Sequence, residues 1–313
     1  MKRVFPALGR ALMALAFLSA PAFAVSERIV EIGAGDTRFV GAYMEAQQQQ
    51  SDDAGAPAPV VLMLHGFTGD RSELEIAGTD ETVFLRAARL LSEAGFDSFR
   101  IDFRGSGESD ALAWEDTTFS TQIVDAKAAI DFLADNNDGA PRPVIVLGYS
   151  QGGLIAAHAV AARPDVAAAV LWAPVAIPQL TYAAVLGDDV VEAMQAADED
   201  APAREIELPW GETTRLKPAF FNEFLRTDPV AAIAPWPGPL LVVVGGNDDI
   251  VGPQPKMGML YLRYHEGPSE MKVYMTDHIF GAFEGPETLD RVVSEMVPWL
   301  RSALDGERPS PSP

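Results

Sequence analysis

Short, mostly apolar runs alternate with segments of helical spacing along much of the chain. The apolar runs lie at residues 60–64, 97–103, 144–148, 168–172, 240–245 and 271–275. Runs of this length are typical of strands that are buried on both faces of a parallel sheet. Helical spacing occupies residues 81–94, 118–136, 152–163 and 286–304. The alternation predicts one α/β domain over residues 25–304, built on a doubly wound and mostly parallel sheet.

Two segments depart from this alternation. Residues 27–32 and 37–45 alternate between apolar and polar positions, which predicts an antiparallel hairpin at the edge of the sheet. Residues 47–59 are polar, with Gly and Pro, and are predicted to form a loop. Residues 174–235 lie between two predicted core strands, where a connection usually takes only a few residues. This length predicts a helical cap inserted over a functional site.

The start of the chain has the pattern of a secretory signal. Met1-Lys2-Arg3 precedes an apolar stretch without charge at residues 11–23, and Ala22-Phe23-Ala24 has the small-residue spacing of a signal-peptidase site. The stretch is shorter than the ~20 residues that an uncleaved anchor, the alternative, needs to span a bilayer. We therefore expect a signal peptide over residues 1–24 and an exported protein, periplasmic or secreted. The Pro/Ser-rich residues 305–313 are expected to be a disordered tail.

Composition removes several classes of function. The chain has no cysteine, so its nucleophile cannot be a thiolate and its stability cannot depend on disulfides. Its net charge of −22 argues against nucleic acids and anionic membrane surfaces as partners. The excess of acidic residues is typical of a solvated surface that keeps a protein soluble.

A serine lies at the junction of a predicted strand and a predicted helix. Gly148-Tyr149-Ser150-Gln151-Gly152 follows the apolar residues 144–147 and precedes residues 154–157, which have helical spacing. A G-x-S-x-G sequence in this context is typical of a nucleophile elbow, where the serine sits on a sharp turn. Glycines at the flanking positions leave the space that such a turn requires. Ser150 is therefore the candidate nucleophile.

A serine hydroxyl needs a base, and histidine is the usual one. Of the four histidines, His65 precedes Ser150, which is the wrong order for the sequence Ser, acid, His. His158 is expected to pack on a helix, and His265 lies at a predicted helix end. His278 alone follows Ser150 in the right order and comes directly after a predicted strand.

The base requires a carboxylate that orients its imidazole ring. Asp248 and Asp249 both follow the predicted strand at residues 240–245 and lie between the serine and His278 in the sequence. The spacing from Gly245 to Val251 favours Asp248 as the acid and makes Asp249 a turn residue. An acyl-transfer site also needs donors for the developing oxyanion. In this arrangement they are the backbone N–H groups of Phe67 and Gln151.

Other motifs are weaker. Residues 104–109, Arg-Gly-Ser-Gly-Glu-Ser, begin like a dinucleotide-binding loop, but Asp110 stands where the third glycine is required. No cluster of histidines and carboxylates has the spacing of metal ligands. We therefore expect no cofactor and no metal.

The motifs together resemble a known family. The segments that carry the resemblance are His65-Gly66-Phe67-Thr68-Gly69 and residues 102–109, 148–153, 245–251 and 277–280. In this order they resemble serine esterases of the α/β-hydrolase superfamily, in the group of feruloyl (cinnamoyl) esterases and serine aminopeptidase-like proteins. The resemblance implies the α/β-hydrolase fold, a triad of Ser150, Asp248 and His278, and a small-molecule ester as substrate. It also implies that the cap selects the substrate.

Two alternatives remain beside an esterase with an acyl-enzyme intermediate. The same triad also serves peptidases and amidases, since ester and amide hydrolysis need the same base and oxyanion donors. A protein of this fold can also be a catalytically inactive binding module, because fold does not fix function. In the cap, the aromatic residues 210, 220, 221 and 224 either line a substrate pocket or form the cap's own core.

Overall fold

A computed structural model describes residues 27–35, 37–47, 57–135 and 142–306. The predicted signal peptide at residues 1–24 lies outside the described residues, as do most of the loop at residues 47–59 and residues 307–313 of the expected tail. Cleavage, export and the disorder of the tail therefore stay predictions.

The described residues form one large sheet and one small hairpin. The strands are β1 (Glu27–Ala34), β2 (Thr37–Met44), β3 (Val60–Leu64), β4 (Asp97–Asp102), β5 (Val144–Tyr149), β6 (Ala168–Trp172), β7 (Arg204–Glu207), β8 (Thr213–Leu216), β9 (Leu240–Gly245) and β10 (Ser269–Tyr274). The large sheet has the order β1-β2-β4-β3-β5-β6-β9-β10, and β7 pairs with β8. Strands β1 and β2 run antiparallel to their neighbours, while β3, β4, β5, β6, β9 and β10 are parallel. The predicted doubly wound, mostly parallel sheet with an antiparallel edge is confirmed.

Helices cover both faces of this sheet. They are α1 (Val83–Glu93), α2 (Phe119–Asp135), α3 (Gln151–Ala161), α4 (Pro178–Leu186), α5 (Asp188–Gln195), α6 (Pro218–Asn222), α7 (Pro229–Ile233), α8 (Lys256–Tyr264) and α9 (Glu287–Leu304). Helices α1 and α9 pack on one face, and α2, α3 and α8 pack on the other. Strand β5 shows why the core strands are apolar throughout. Val144 and Val146 face one core, while Ile145 and Leu147 face the other.

The inserted segment at residues 174–235 is only partly helical. It contains helices α4 to α7, as expected from the sequence, and also the antiparallel hairpin β7–β8. The hairpin escapes the sequence patterns because each strand has four residues and little of it is buried. Ile206 is the buried residue of β7, and Thr214 and Leu216 are those of β8. Helix α8 precedes β10 and is not among the four predicted helical segments, but its end at Tyr264 agrees with the helix end expected at His265.

None of the helices in the described ranges is long and apolar enough to cross a membrane.

A buried ion pair fixes the loop after β4 against helix α2. The carboxylate of Asp125 accepts hydrogen bonds from the Arg104 backbone N–H at 2.9 Å and from Arg104 Nε at 2.6 Å, and its side chain is fully buried. Burial raises the pKa of Asp125 to about 6. Removal of one partner from a buried pair leaves a charge without compensation, which is strongly destabilising.

We therefore expect Asp125→Ala to lower the free energy of unfolding by about 3 kcal/mol. The matched control is Asp131→Ala on the same helix, whose exposed carboxylate pairs with Arg163 and whose loss should cost less than about 1 kcal/mol. Urea denaturation of both variants measures the difference. Equal losses would contradict a structural role for the buried pair.

Candidate active site

Ser150 occupies a sharp turn between β5 and α3. Its backbone has φ 54° and ψ −115°, a conformation that a side-chain-bearing residue rarely adopts. Three backbone hydrogen bonds hold this turn. The Ser150 N–H donates to the carbonyl of Trp172 at 2.8 Å, and the Ser150 carbonyl accepts from the N–H groups of Gly153 at 3.0 Å and Val175 at 3.2 Å. The strained conformation is therefore imposed by the chain on both sides of the serine.

The glycines around Ser150 are required by close approaches of the backbone. A Cβ atom at Gly148 would lie 2.2 Å from the carbonyl oxygen of Gly152. A Cβ atom at Gly152 would lie 2.1 Å from the carbonyl oxygen of Leu64 and 2.5 Å from that of His65. No side chain fits at either position without a shift of the backbone. The turn is thus packed directly against the end of β3.

The structure brings Ser150, His278 and Asp248 together. His278 Nε2 lies 3.0 Å from Ser150 Oγ, and His278 Nδ1 lies 2.8 Å from Asp248 Oδ2. A carboxylate can only accept a hydrogen bond, so the ring proton belongs on Nδ1 and Nε2 is free to accept from the serine hydroxyl. All three residues are buried. The three side chains thus form one continuous hydrogen-bonded chain in the order that the sequence predicts for a triad.

The local backbone selects Asp248 rather than Asp249. Asp248 Oδ1 accepts the N–H groups of Ile250 at 3.0 Å and Val251 at 2.8 Å, which leaves Oδ2 for His278. Asp249 is exposed. The carboxylate of Asp248 is therefore held in place by the turn that it begins.

Tyr149 contacts both the backbone and the ring of His278. Its hydroxyl donates to the carbonyl of His278 at 3.4 Å, and the two rings lie 5.3 Å apart. Burial raises the pKa of Tyr149 well above its ordinary value, so its hydroxyl stays protonated. Asp277 fixes the same loop, since its Oδ1 accepts the N–H of Gly281 at 2.8 Å.

The other three histidines lie outside this network. His65 is fully buried, with Nδ1 2.9 Å from the carbonyl of Gly66 and Nε2 2.9 Å from Ser106 Oγ. It ties the loop after β3 to the loop after β4. His158 lies on α3, and His265 follows α8 and packs on the ring of Trp236.

The two predicted oxyanion donors lie beside the serine. Gln151 begins α3, where backbone N–H groups have no partner within the helix and the helix dipole favours negative charge. Phe67 is in the loop after β3, and a Cβ atom at its neighbour Gly66 would lie 3.4 Å from Ser150 Cβ. Among the described residues, neither the Phe67 N–H nor the Gln151 N–H has a hydrogen-bond acceptor. Both N–H groups are thus without a protein acceptor in the described part of the chain, as the prediction requires.

Sequence reasoning missed the residue that supports this loop. Glu73 is partly exposed as a residue, but its carboxyl group is buried against the loop and accepts the N–H of Gly66. Burial raises the pKa of Glu73 to about 8, and the hydrogen bond from Gly66 opposes this only in part. The carboxyl is therefore mostly neutral at pH 7. A single acid in a polar segment carries no pattern that could have revealed this role.

The loop at residues 104–109, after β4, is linked to the loop after β3 through Asp102. Asp102, at the end of β4, accepts the backbone N–H groups of Arg71 at 2.7 Å and Glu108 at 2.9 Å, and it also pairs with the Arg71 guanidinium. A Cβ atom at Gly107 would lie 2.4 Å from the carboxylate of Asp102. Gly107, which resembled part of a nucleotide loop, is thus required because the carboxylate of Asp102 leaves no space for a side chain.

The aromatic residues of the cap mostly form its own core. Phe220, Phe221 and Phe224 are each at most 2% exposed, and Phe220 and Phe224 pack against Phe119 of α2. Trp210 is exposed, and its Nε1 donates to Glu212 at 3.2 Å.

A cleft of about 600 Å³ opens between the loop after β3 and the cap hairpin. It begins at Thr68, next to Phe67, and its lining includes the carboxylates of Asp70, Glu115, Glu205 and Glu212. Ser150 and His278 do not line it. Within the described ranges, no group of three or more His, Asp or Glu residues is arranged to hold a metal ion.

Known proteins share this fold and these motifs. A family model described as "Serine aminopeptidase, S33" matches residues 55–199. Acylamino-acid-releasing enzyme 2 of Oryza sativa subsp. japonica is 25% identical over 61% of this chain and 23% of its own length. Protein phosphatase methylesterase 1 of Mus musculus is 33% identical over 35% of this chain and 25% of its own length. The matches thus span about a quarter of the length of these relatives.

Among solved structures, Est1E from Butyrivibrio proteoclasticus with bound ferulic acid superposes with a TM-score of 0.67 and 19% identity. The superposition covers 88% of this chain and 99% of that chain. The sheet order and the superposition show that the chain has the α/β-hydrolase fold, and the family model matches just under half of the chain. Its resemblance to the group of feruloyl esterases and serine aminopeptidases is confirmed.

The close approach at Gly152 predicts an effect on stability. We expect Gly152→Ala to lower the free energy of unfolding by about 2 kcal/mol or more, because its Cβ would meet backbone oxygens and not flexible side chains. The control is Gly33→Ala in β1, where a Cβ has open space. Urea denaturation compares the two. A Gly152→Ala protein as stable as Gly33→Ala would contradict the packing described for the turn.

The raised pKa of Glu73 predicts a pH dependence of stability. As the pH rises from about 5 to about 8, the unfolded chain loses the Glu73 proton while the folded chain keeps it, so folding becomes less favourable. The amide of Glu73→Gln does not titrate, so the stability of this variant relative to wild type should increase as the pH rises through that window. Urea midpoints measured at several pH values test this. Exposed Glu75→Gln is the control. If both variants differed from wild type in stability by the same amount at every pH, the raised pKa of Glu73 would be contradicted.

Proposed function

We propose that the protein is a serine hydrolase that cleaves carboxylic esters through an acyl-enzyme. The observation that carries the proposal is the continuous hydrogen-bonded chain from Asp248 through His278 to Ser150, with distances of 2.8 Å and 3.0 Å. These distances fall in the range in which a base accepts the proton of a nucleophile.

The proposed first step forms the acyl-enzyme. Ser150 Oγ attacks the ester carbonyl carbon while its proton passes to His278 Nε2, and Asp248 stabilises the imidazolium. The carbonyl oxygen becomes an oxyanion that accepts the N–H groups of Phe67 and Gln151. Each such donor is typically worth ~3 kcal/mol in the transition state. The carbon–oxygen bond then breaks, and His278 returns the proton to the leaving alcohol.

The second step releases the acid. A water molecule gives its proton to His278 Nε2 and attacks the acyl carbon, and the same donors hold the oxyanion. The bond to Ser150 Oγ breaks, Oγ takes the proton back, and the carboxylic acid leaves. Apart from the substrate and water, every group used in these steps belongs to this chain, so the proposal requires no cofactor. The strongly acidic composition favours a small-molecule ester over a nucleic acid as partner.

An amide substrate is the second candidate. The support for it is the match to the family described as serine aminopeptidase and the partial likeness to an acylamino-acid-releasing enzyme. Support for an ester comes from the fold shared with Est1E, which binds ferulic acid, and from the partial likeness to a methylesterase. An inactive binding module is disfavoured because all three triad positions carry competent side chains in contact.

Replacement of the nucleophile should abolish ester turnover. We expect Ser150→Ala to lower kcat/KM for p-nitrophenyl acetate by about 10⁴-fold or more, since the acyl-enzyme cannot form. Exposed Ser120→Ala is the matched control and should retain wild-type rates. A fluorophosphonate probe should label the wild type and Ser120→Ala at one site, and intact mass should show no adduct on Ser150→Ala. Full activity in the alanine variant would refute the proposal.

A second measurement separates ester from amide substrates. The purified protein is assayed with p-nitrophenyl esters and with aminoacyl p-nitroanilides under the same conditions. Higher kcat/KM for the esters supports the esterase proposal, and higher kcat/KM for the anilides replaces it with the amidase alternative.

A further inference from the structure

We infer that Tyr182, on cap helix α4, is a positioning residue for both oxyanion donors. The inference rests on the proposed function, because it concerns the geometry of Phe67 and Gln151 during acyl transfer. It gives the cap a role in the catalytic step in addition to the role in substrate selection that the family resemblance implies.

The first contact is a hydrogen bond to the side chain of Gln151. The Tyr182 hydroxyl donates to Gln151 Oε1, and Gln151 Nε2 donates to Gln122 Oε1 at 2.7 Å. Gln122 in turn donates to Thr117 Oγ1 at 3.3 Å. These hydrogen bonds link four residues into a series, here called the buried amide chain: Tyr182, Gln151, Gln122 and Thr117. All four residues are at most 2% exposed. Both ends of the Gln151 side-chain amide are therefore hydrogen-bonded within the protein.

The buried amide chain connects Gln151 to two separate elements of the structure. Tyr182 belongs to the cap, whereas Gln122 belongs to α2, which packs on the sheet. Gln151 is also the first residue of α3, so the direction of its N–H depends on how this end of the helix is fixed. Burial raises the pKa of Tyr182 well above its ordinary value and keeps the hydroxyl a donor. Loss of that donor would leave a buried amide oxygen unsatisfied.

The second contact is with the ring of Phe67. The Tyr182 ring meets the Phe67 ring edge to face, with centroids 5.4 Å apart, and Phe220 stacks on Phe67 at 5.7 Å. Tyr182 also stacks on Phe224 at 4.8 Å, which anchors it in the cap core. One residue thus contacts the side chains of both donors. A displacement of α4 would disturb both donors together.

The test uses Tyr182→Phe, which removes the hydroxyl and keeps the ring. We expect kcat for a p-nitrophenyl ester to fall about 10-fold, since a misdirected donor stabilises the oxyanion less. KM should change less than twofold. The Ki of an alkyl trifluoromethyl ketone, which forms a tetrahedral adduct on serine, should rise by the same factor as kcat/KM falls. The pH profile of kcat/KM should keep its shape, because the Tyr182 hydroxyl makes no contact with Ser150, His278 or Asp248.

The control is Tyr43→Phe, which removes a buried tyrosine hydroxyl that donates to Asp97 at the start of β4. It should lose stability without a change in kcat or in the Ki of the ketone. Active-site titration with a fluorophosphonate gives the rate per competent serine. If Tyr182→Phe does not fold, Gln122→Met breaks the next link of the buried amide chain and should lower kcat in the same direction.

The outcomes distinguish the two claims. A wild type without ester turnover or labelling would overturn the proposed function itself. An active wild type whose Tyr182→Phe or Gln122→Met variant keeps kcat and the ketone Ki would overturn only the positioning role. A rise in KM with kcat unchanged would also overturn it, because that result would assign Tyr182 to substrate binding.

Discussion

The close packing of the Ser150 turn against the end of β3 is the constraint on which the rest of the site depends. Strands β3 and β5 pair so that Leu64 lies opposite Gly148, and the turn after β5 then meets the carbonyl oxygens of Leu64 and His65. Only a glycine at position 152 permits this approach. The strained φ of Ser150 is held by three backbone hydrogen bonds, and the hydroxyl lies within hydrogen-bond distance of His278 Nε2.

The parallel order of the sheet supplies the remaining groups. The carboxyl ends of β3, β5, β9 and β10 lie at one edge, and each is followed by a loop that contributes to the site. Each loop is fixed by its own local contact. Asp248 accepts two backbone N–H groups, Tyr149 holds the carbonyl of His278, and Glu73 holds Gly66. Rigid support of this kind keeps reacting groups within the narrow tolerances that catalysis requires.

The cap joins this framework through buried polar and aromatic contacts. Tyr182 reaches Gln151 by a hydrogen bond and Phe67 by its ring, while the phenylalanines of the cap pack on α2. These contacts connect the element that borders the cleft to the groups proposed to stabilise the oxyanion. The cap and the loops that carry the two proposed oxyanion donors therefore form one continuous packed unit.

Local patterns in the sequence were enough to determine the fold class and to single out Ser150, His278 and Asp248, because buried strands, elbow glycines and chain order leave short-range signals. The spacing also favoured Asp248 over Asp249, and the turn geometry explains why. Tertiary structure alone decided the roles of Glu73, Tyr182 and Gln122. Their partners lie on other elements, and a single polar residue has no periodicity that reveals its burial. The hairpin β7–β8 was missed for a related reason, since strands of four mostly exposed residues resemble a polar loop.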